Sequence, residues 1–581
     1  VDFIYNRIYW SNKRILPHLK KINLYYIKMC GIFFYKNGEQ ISPELEEILL
    51  TYLNRIQHRG PDDTSYVIVD KQFIGFHRLA INGLSEKGNQ PFEYDREDGK
   101  KDYVVCNGEI YNWWDLNNRY ELGLEEDDSD CAVIYPLYKK IGLKKMIDLL
   151  DGVFAFIIVD GENICAGRDP IGVRPLFWSL EDRKIGFCSE AKGLSDKMRM
   201  RPFPPGSYWK SNWNNEIPKV FFKIDDWKDV SPNSFLSIMR ESEMNKAIVD
   251  CFSRAIKKRM LSDRPIGCLL SGGLDSSLVA AILHKEMKGQ KLNTYSIGFK
   301  GSPDLEAARK VANHIGSNHH EVLLKWKEIE ERLPQIIMQL ETYDTTTIRA
   351  SIGMYFISKY IKENTKDVVI FSGEGADELC QGYLYFHRQP SDTMGHLESM
   401  RLMNNLYMYD VLRADRTTAA HGLEVRVPFL DKQFMKLIVT LPYKKVCPQK
   451  QIEKYLIRSA FAKSGLLPDE IMWRKKEAFS DGVSSQTKNW LDKIKKMAKL
   501  YVSDEDMKNV GDVIKHCVPR TKEEYFYRKI FDTFYKNAED FIPDFWMPKW
   551  SPETIDPSAR TLAIYESTSP PITGWSSSTK N

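Results

Sequence analysis

No apolar run in this chain approaches the roughly eighteen residues that a membrane-spanning helix requires, so the sequence predicts a soluble protein. Its ten cysteines stand singly, with no CxxC pair and no Cys/His cluster. That usage excludes structural zinc and a disulfide scaffold, and it points to a reducing, cytoplasmic setting. Strong charge of either sign is missing as well. The net charge is +4, yet residues 1 to 28 alone hold Arg7, Lys13, Arg14, Lys20, Lys21 and Lys28 against Asp2, a net of +5 that leaves the remainder at −1. A basic nucleic-acid-binding face is thereby excluded. Residues 1 to 28 also contain no methionine and no glycine, and they lack the long apolar core and small-residue cleavage site of a secretory signal. No internal repeat is present.

What is present is size and pattern. A chain of 581 residues, 43% hydrophobic and 12% aromatic, exceeds what one compact core accommodates, so at least two domains are expected. Changes of pattern divide it into an extension over 1–29, a unit over 30–235, a second over 236–555 and a tail over 556–581. In the first unit short apolar runs at 66–69 and 153–159 alternate with Gly/Pro/Asn/Asp turns, which reads as sheet-rich. Residues 225–234 are polar, include Pro232 and read as a linker. Beyond them Ile248, Val249, Phe252, Ala255 and Ile256 mark one apolar helical face, and 266–270, 294–299 and 368–371 read as central strands of an α/β sheet. The polar stretch from Glu566 reads as disordered.

The first chemistry-bearing set opens with Met29-Cys30-Gly31-Ile32-Phe33. It continues through His58-Arg59-Gly60-Pro61-Asp62, Gly75-Phe76-His77-Arg78-Leu79-Ala80-Ile81 and Cys106-Asn107-Gly108-Glu109-Ile110-Tyr111-Asn112. Alone, Cys30 reads as a small buried hydrophobe and Asn107-Gly108 as a hairpin turn. Together the set supplies a thiol, guanidinium groups, a carboxylate and an Asn-Gly turn. Recognition and hydrolysis of a small zwitterionic amide need those groups. A guanidinium can hold an α-carboxylate by paired hydrogen bonds, a carboxylate can hold an α-ammonium, and an Asn side chain with a Gly N–H can form an oxyanion hole. The ordered set resembles the N-terminal-nucleophile glutaminase domain of the class II amidotransferases. That resemblance implies a four-layer αββα sandwich with Cys30 as nucleophile and Asn107 and Gly108 as oxyanion hole. It also implies glutamine binding by Arg78, Leu79, Ile81, Asn107, Gly108, Glu109 and Asp130.

The second set is a strand, a tight loop and a helix start: residues 266–270 run into Ser271-Gly272-Gly273-Leu274-Asp275-Ser276-Ser277 and then an apolar helix. Glycines let backbone approach phosphate, the helix start offers free N–H groups, and Asp275 can hold magnesium. No Gly-Lys-Ser/Thr follows, so this is not a Walker A loop. Further on, Ser372-Gly373-Glu374-Gly375-Ala376-Asp377-Glu378 places carboxylates at a strand end, where open α/β sheets bind ligands. The loop resembles that of the ATP pyrophosphatases, which implies a doubly wound α/β domain and cleavage of ATP between the α and β phosphates. On that resemblance Leu269, Ser271, Gly272, Gly273, Asp275, Ser276, Ser277, Ile297, Ser372 and Gly373 contact ATP, and Asp275 and Asp377 hold Mg2+. Glu374 then supports acyl-adenylate formation and deprotonates ammonia.

The acid that is activated is suggested by further runs. These are Ser302 to Leu305, Glu341-Thr342-Tyr343-Asp344, residues 410–431, Trp473 to Gly482 and Asp556 to Leu562. Each alone reads as a solvated charge patch; in this order they resemble the asparagine synthetases, animal-type more than bacterial. The resemblance implies L-glutamine, L-aspartate and ATP as substrates, with Lys476 neutralising charge on the α-phosphate and Arg416 holding an aspartate carboxylate. A homodimer is compatible with the sequence. Two other readings compete with this one. A sister amidotransferase activating another carboxylate tends to lose the terminal cysteine, which this chain keeps. A non-catalytic pseudoenzyme predicts broken site residues, and neither set has one.

Residues 1 to 28 depart from the family pattern. Class II glutaminases use the α-amine of a terminal cysteine as proton acceptor for its thiol, and an amine of pKa roughly 7.7–8.0 serves near neutral pH. Within a longer chain that nitrogen is an amide and takes no proton. Met29, the first methionine, directly precedes Cys30, and the Ile/Asn/Lys/Tyr/Phe bias before it matches translated A/T-rich upstream sequence. The working enzyme is therefore expected to begin at Cys30. Mass spectrometry of protein from its native source should find a Cys30 terminus, and an active glutaminase still carrying Val1 contradicts that expectation.

Overall fold

The computed structural model describes residues 30–60, 62–181, 183–213, 217–229, 239–484 and 490–567. The extension over 1–29, residues 230–234 of the expected linker and the tail beyond 567 lie outside them.

Twelve strands build the first unit: β1 (Gly31–Lys36), β2 (Asp63–Val69), β3 (Gln72–Arg78), β4 (Phe92–Asp95), β5 (Lys101–Ile110), β6 (Gly152–Asp160), β7 (Asn163–Arg168), β8 (Phe177–Glu181), β9 (Lys184–Cys188), β10 (Arg201–Pro202), β11 (Ser207–Lys210) and β12 (Lys219–Val220). They form two antiparallel sheets, ordered β10-β8-β9-β1-β3-β2 and β12-β11-β7-β6-β5-β4. Alternation along each strand sets the layers. Phe33 and Tyr35 of β1 point to helix α1 (Pro43–Asn54) and meet Leu49 and Leu53. Ile32 and Phe34 point the other way and meet Val105 and Ile157 of the second sheet. On that sheet's far face, Val104, Cys106, Phe156 and Ile158 pack on α2 (Ile134–Ile141) and α3 (Leu143–Leu149). Helix, sheet, sheet, helix: these are the expected four layers. Burial on both faces explains why β1 and β6 read as unbroken apolar runs.

The second unit is built on five parallel strands: β13 (Ile266–Leu269), β14 (Asn293–Gly298), β15 (Asn318–Leu323), β16 (Val369–Phe371) and β17 (Glu424–Arg426). Their order is β15-β14-β13-β16-β17, so the sequence runs outward from β13 in one direction and then from β16 in the other. The reversal between β13 and β16 is the switch point at which doubly wound sheets open a crevice. Helix α4 (Glu241–Lys258) buries Ile248, Phe252, Ala255 and Ile256, as the helical pattern predicts. It shares a core with α5 (Leu274–Glu286), α6 (Pro303–Ile315), Val369 and Phe371. Ile370 faces the opposite way, towards Ile348 and Ile352 of α7 (Thr345–Asn364). Among the described residues no helix is long and apolar enough to cross a membrane.

The two units share a core. Phe177 of β8 lies 5.3 Å, centroid to centroid, from Phe541, and one apolar cluster includes both Phe33 and Phe531. Residues from Asp556, expected as a tail, are tied in as well: Arg349 Nη1 donates to Asp556 Oδ1 at 2.7 Å and Ser558 Oγ to Asp481 Oδ1 at 2.7 Å.

Candidate functional site

Cys30 immediately precedes β1. The Leu79 N–H donates to its sulfur at 3.2 Å, and the thiol lies 3.3 Å from the Leu79 carbonyl. Burial pushes the thiol up to about 12, only partly offset by the Leu79 N–H, with Glu424 and Glu109 raising it further. A thiol in that state is protonated at neutral pH and needs a base before it attacks. Arg59 Nε donates to the Cys30 carbonyl at 2.9 Å and fixes the backbone there.

On β5, Asn107 Nδ2 is buried and has no hydrogen-bond partner among the described residues. A buried unpaired donor costs about 1–3 kcal/mol, and an incoming oxyanion would satisfy it. Gly108 follows because nothing larger fits: a Cβ there would stand 2.2 Å from the Val153 carbonyl oxygen. Glu109 and Asp130 are both buried, and Asn82 binds Glu109. Burial and the neighbouring Asp130 drive the Glu109 carboxyl well above its ordinary range, and burial raises Asp130 to about 6. Two acids pushed up side by side form a place where a substrate ammonium would be welcome. Arg78 is braced by the carbonyls of Ser85 and Gly83, and Gly88 clears its path, since a Cβ there would meet Nη2 at 2.2 Å. Leu79 and Ile81 are buried on the same stretch. His77, by contrast, is a packing residue: Thr64 and Leu53 hold its ring, and burial lowers it to about 4.

At the switch point an open cleft with about 1560 Å³ of free space is lined by Leu269, Ser271, Gly273, Asp275, Ser276, Ile297, Ser372, Gly373, Glu374, Asp377 and Lys476. The two predicted loops therefore meet across one crevice. Ser271 and Ser276 hydroxyls bond at 3.0 Å at the start of α5. Gly272 and Ser277 turn away from the crevice. Gly272 has φ +73° and would set a Cβ 2.4 Å from the Ala308 nitrogen, and Ser277 is fully buried. Their contribution is to the turn and to the packing of α5.

Lys454, which no motif singled out, bridges the two aspartates, donating to Asp275 Oδ2 at 2.5 Å and Asp377 Oδ1 at 2.6 Å. Lys476 donates to the other oxygen of Asp377. Burial alone would raise the Asp377 carboxyl, but the two ammonium groups hold it well below its usual range. Asp275 Oδ1 is buried with no partner among the described residues, so a lone-pair site remains for a cation. Glu374 is bound by Arg413 at 2.6 Å, yet burial raises it to about 7, with Asp410 adding to the shift. A carboxyl poised there can exchange a proton near neutrality.

Arg416 does not reach this crevice. It is fully buried between the units, donating to Glu341 Oε2 at 2.9 Å and Asp415 Oδ2 at 3.1 Å. Where the sequence expectation set a substrate carboxylate, its guanidinium is held by protein carboxylates. Arg413, three residues earlier and thus one turn away, is the arginine of this helix that lines the cleft.

Comparison with known proteins matches these two regions. Residues 29–215 match the Glutamine amidotransferase domain family, and residues 247–398 and 391–563 match the Asparagine synthase family. The rat (Rattus norvegicus) asparagine synthetase [glutamine-hydrolyzing] is 47% identical over 571 residues, covering 93% of this chain and 100% of that protein. The human (Homo sapiens) protein of the same name is 45% identical over 570 residues, covering 93% of this chain and 99% of its own. With both units matched, and the relatives spanned end to end, this chain belongs to the glutamine-hydrolysing asparagine synthetase family.

Proposed function

We propose that this chain makes L-asparagine from L-aspartate, drawing nitrogen from L-glutamine and energy from ATP, with the glutaminase unit over 30–235 and the synthetase unit over 236–555. The observation that carries the reading is that each of the two clusters keeps open the group its chemistry needs. Among the described residues, Asn107 Nδ2 is an unpaired donor on β5 and Asp275 Oδ1 an unpaired acceptor at the phosphate loop.

In the first site Cys30 sulfur attacks the glutamine amide carbon after its proton passes to a base. Asn107 Nδ2 and the Gly108 N–H hold the oxyanion, the C–N bond breaks, and ammonia leaves a thioester that water cleaves to glutamate. Arg78 would hold the substrate carboxylate, and Glu109 and Asp130 its ammonium. In the second site the aspartate β-carboxylate attacks the α-phosphorus of ATP. Pyrophosphate departs against Ser271, Gly273 and Ser276, and Lys476 offsets the charge at the α-phosphate. Ammonia then attacks the β-aspartyl-AMP carbonyl, Glu374 takes the proton, and AMP leaves.

The donor set fits Mg2+. Two carboxylates, Asp275 and Asp377, flank the phosphate loop, and no group of three or more metal-ligating side chains exists among the described residues. Mg2+ is commonly held by one or two carboxylates plus substrate phosphates, and when bound it would neutralise phosphate charge. Lys454 then stands where a cation is wanted before substrate arrives. Between the sites, one buried apolar cluster runs from Cys30, Leu79 and Val173 through Ala414 and Val425 to Phe371. That continuity supports transfer of neutral ammonia inside the protein. A cytoplasmic setting accords with ten cysteines that are all free thiols.

Two predictions follow from the separation of the sites. Cys30→Ala should abolish glutamine-dependent asparagine formation and leave the ammonia-dependent rate within about twofold, since the thiol acts only in the first covalent step. Loss of both activities would contradict it. Glu374→Gln, Asp275→Asn and Lys476→Met should each lower synthesis from either nitrogen donor by about 10²–10³, while glutamate release from glutamine persists. A variant that keeps near-normal ammonia-dependent synthesis loses its assigned role.

A further inference from the structure

The glutaminase nucleophile is braced by a residue of the other unit. Arg59 is fully buried and has three obligations. Its Nε donates to the Cys30 carbonyl at 2.9 Å, and its Nη1 donates to Glu190 Oε1 at 2.6 Å. Its Nη1 and Nη2 also form a paired grip on Asp415, at 2.9 and 3.1 Å. Glu190 belongs to the glutaminase unit. Asp415 does not: it sits on helix α8 (Asp410–Ala419) of the synthetase unit, itself buried and touched also by Arg416.

We propose that Asp415 is a positioning residue for the glutaminase reaction, supplied across the unit boundary by the synthetase helix. Leu79 contacts the Cys30 sulfur itself, through its N–H at 3.2 Å and its carbonyl at 3.3 Å, and Arg59 holds the backbone behind it. On the C-terminal side of Cys30 lies Gly31, whose missing side chain leaves room for Arg59: a Cβ there would meet Arg59 Cβ at 3.3 Å. The carbonyl held by Arg59 Nε sets the direction of the Cys30 Cα–Cβ bond, and therefore where the sulfur points relative to Asn107 and Gly108. Asp415 keeps the guanidinium plane turned to that carbonyl by a two-point contact, which a one-point contact to Glu190 does not do. Without the Asp415 charge, Arg59 is drawn towards Glu190 and the nucleophile loses its anchor.

The same helix reaches the other site. Successive residues advance by about 100°, so Arg413 and Asp415 lie on nearly opposite faces. Arg413 binds Glu374 at 2.6 Å in the cleft while Asp415 binds Arg59. One rigid turn of helix thus holds a carboxylate of the synthetase cleft and the arginine that braces the thiol.

This inference rests on the reading of Cys30 as nucleophile, so Cys30→Ala is run in parallel. Asp415→Asn should lower kcat for glutamate release about tenfold, as small misplacements of reacting groups do. KM for glutamine should stay within about twofold, because Arg78, Glu109 and Asp130 do not touch Asp415. Ammonia-dependent synthesis should persist, showing the variant to be folded. Because Asp415 acts through Arg59, the double variant Arg59→Gln/Asp415→Asn should be no slower than Arg59→Gln alone. Should Asp415→Asn fold poorly, Arg59→Met/Asp415→Leu removes the pair together without leaving a lone arginine and should show the same fall in kcat with KM held. An unchanged glutaminase kcat in these variants, or single effects that multiply in the double variant, overturns the proposal. Glutaminase activity surviving in Cys30→Ala instead overturns the reading beneath it. If Cys30→Ala is inactive and Asp415→Asn normal, only the role of Asp415 falls.

Discussion

A seam of buried charge joins the two units, and the rest of the structure depends on it. Arg59, Arg174, Arg416 and Arg426 are among the largest fully buried side chains in the protein. Each has a carboxylate partner across the boundary, and Arg59, Arg416 and Arg426 also hold one in their own unit, Glu190, Glu341 and Glu424 respectively. Arg59 meets Asp415, Arg174 meets Glu424 at 2.9 Å, Arg416 meets Glu190 at 3.9 Å, and Arg426 meets Glu109 at 3.3 Å. Removing one member of such a pair leaves a buried charge uncompensated, at a cost of about 3–5 kcal/mol. Parting the units would separate all of these cross-boundary pairs at once. The units are therefore held in one relative orientation by electrostatics as well as by the shared apolar core.

That orientation matters because both sites border the seam. Arg426 touches Glu109, which is read as a glutamine ligand, and Arg59 touches the carbonyl of Cys30. On the synthetase side the helix that carries Asp415 and Arg416 also carries Arg413 to Glu374. The seam arginines are ion-paired to protein carboxylates, while among the described residues Asn107 Nδ2 and Asp275 Oδ1, at the two proposed sites, have no hydrogen-bond partner.

Much of this was legible in the sequence, and the limits have physical causes. β13 and β16 are short, apolar and followed by glycine-rich loops, and β14 is buried along nearly its whole length, so their place as central strands could be read. β15 (Asn318–Leu323) and β17 (Glu424–Arg426) could not. β15 is polar and partly exposed at a sheet edge, and β17 is three residues whose charged side chains serve the seam. The loops around Asp275 and Asp377 carry local signatures, and their convergence follows from the switch point. Lys454 carries no local signature. Its backbone adopts φ +54°, and its partners in the cleft are 179 and 77 residues away. Arg416 shows the same limit. A charged run in sequence does not reveal which arginine of a helix turns to the cleft and which to carboxylates 75 or more residues away.

The central claim is that two chemistries held in fixed orientation pass nitrogen from one to the other within the protein. Glutamine labelled with 15N in its amide, supplied at saturation with aspartate, Mg-ATP and an equimolar pool of unlabelled ammonium, tests it directly. The account predicts asparagine whose amide carries nearly the full enrichment of the glutamine. Enrichment that falls to the mixing ratio of released and added ammonium would contradict it.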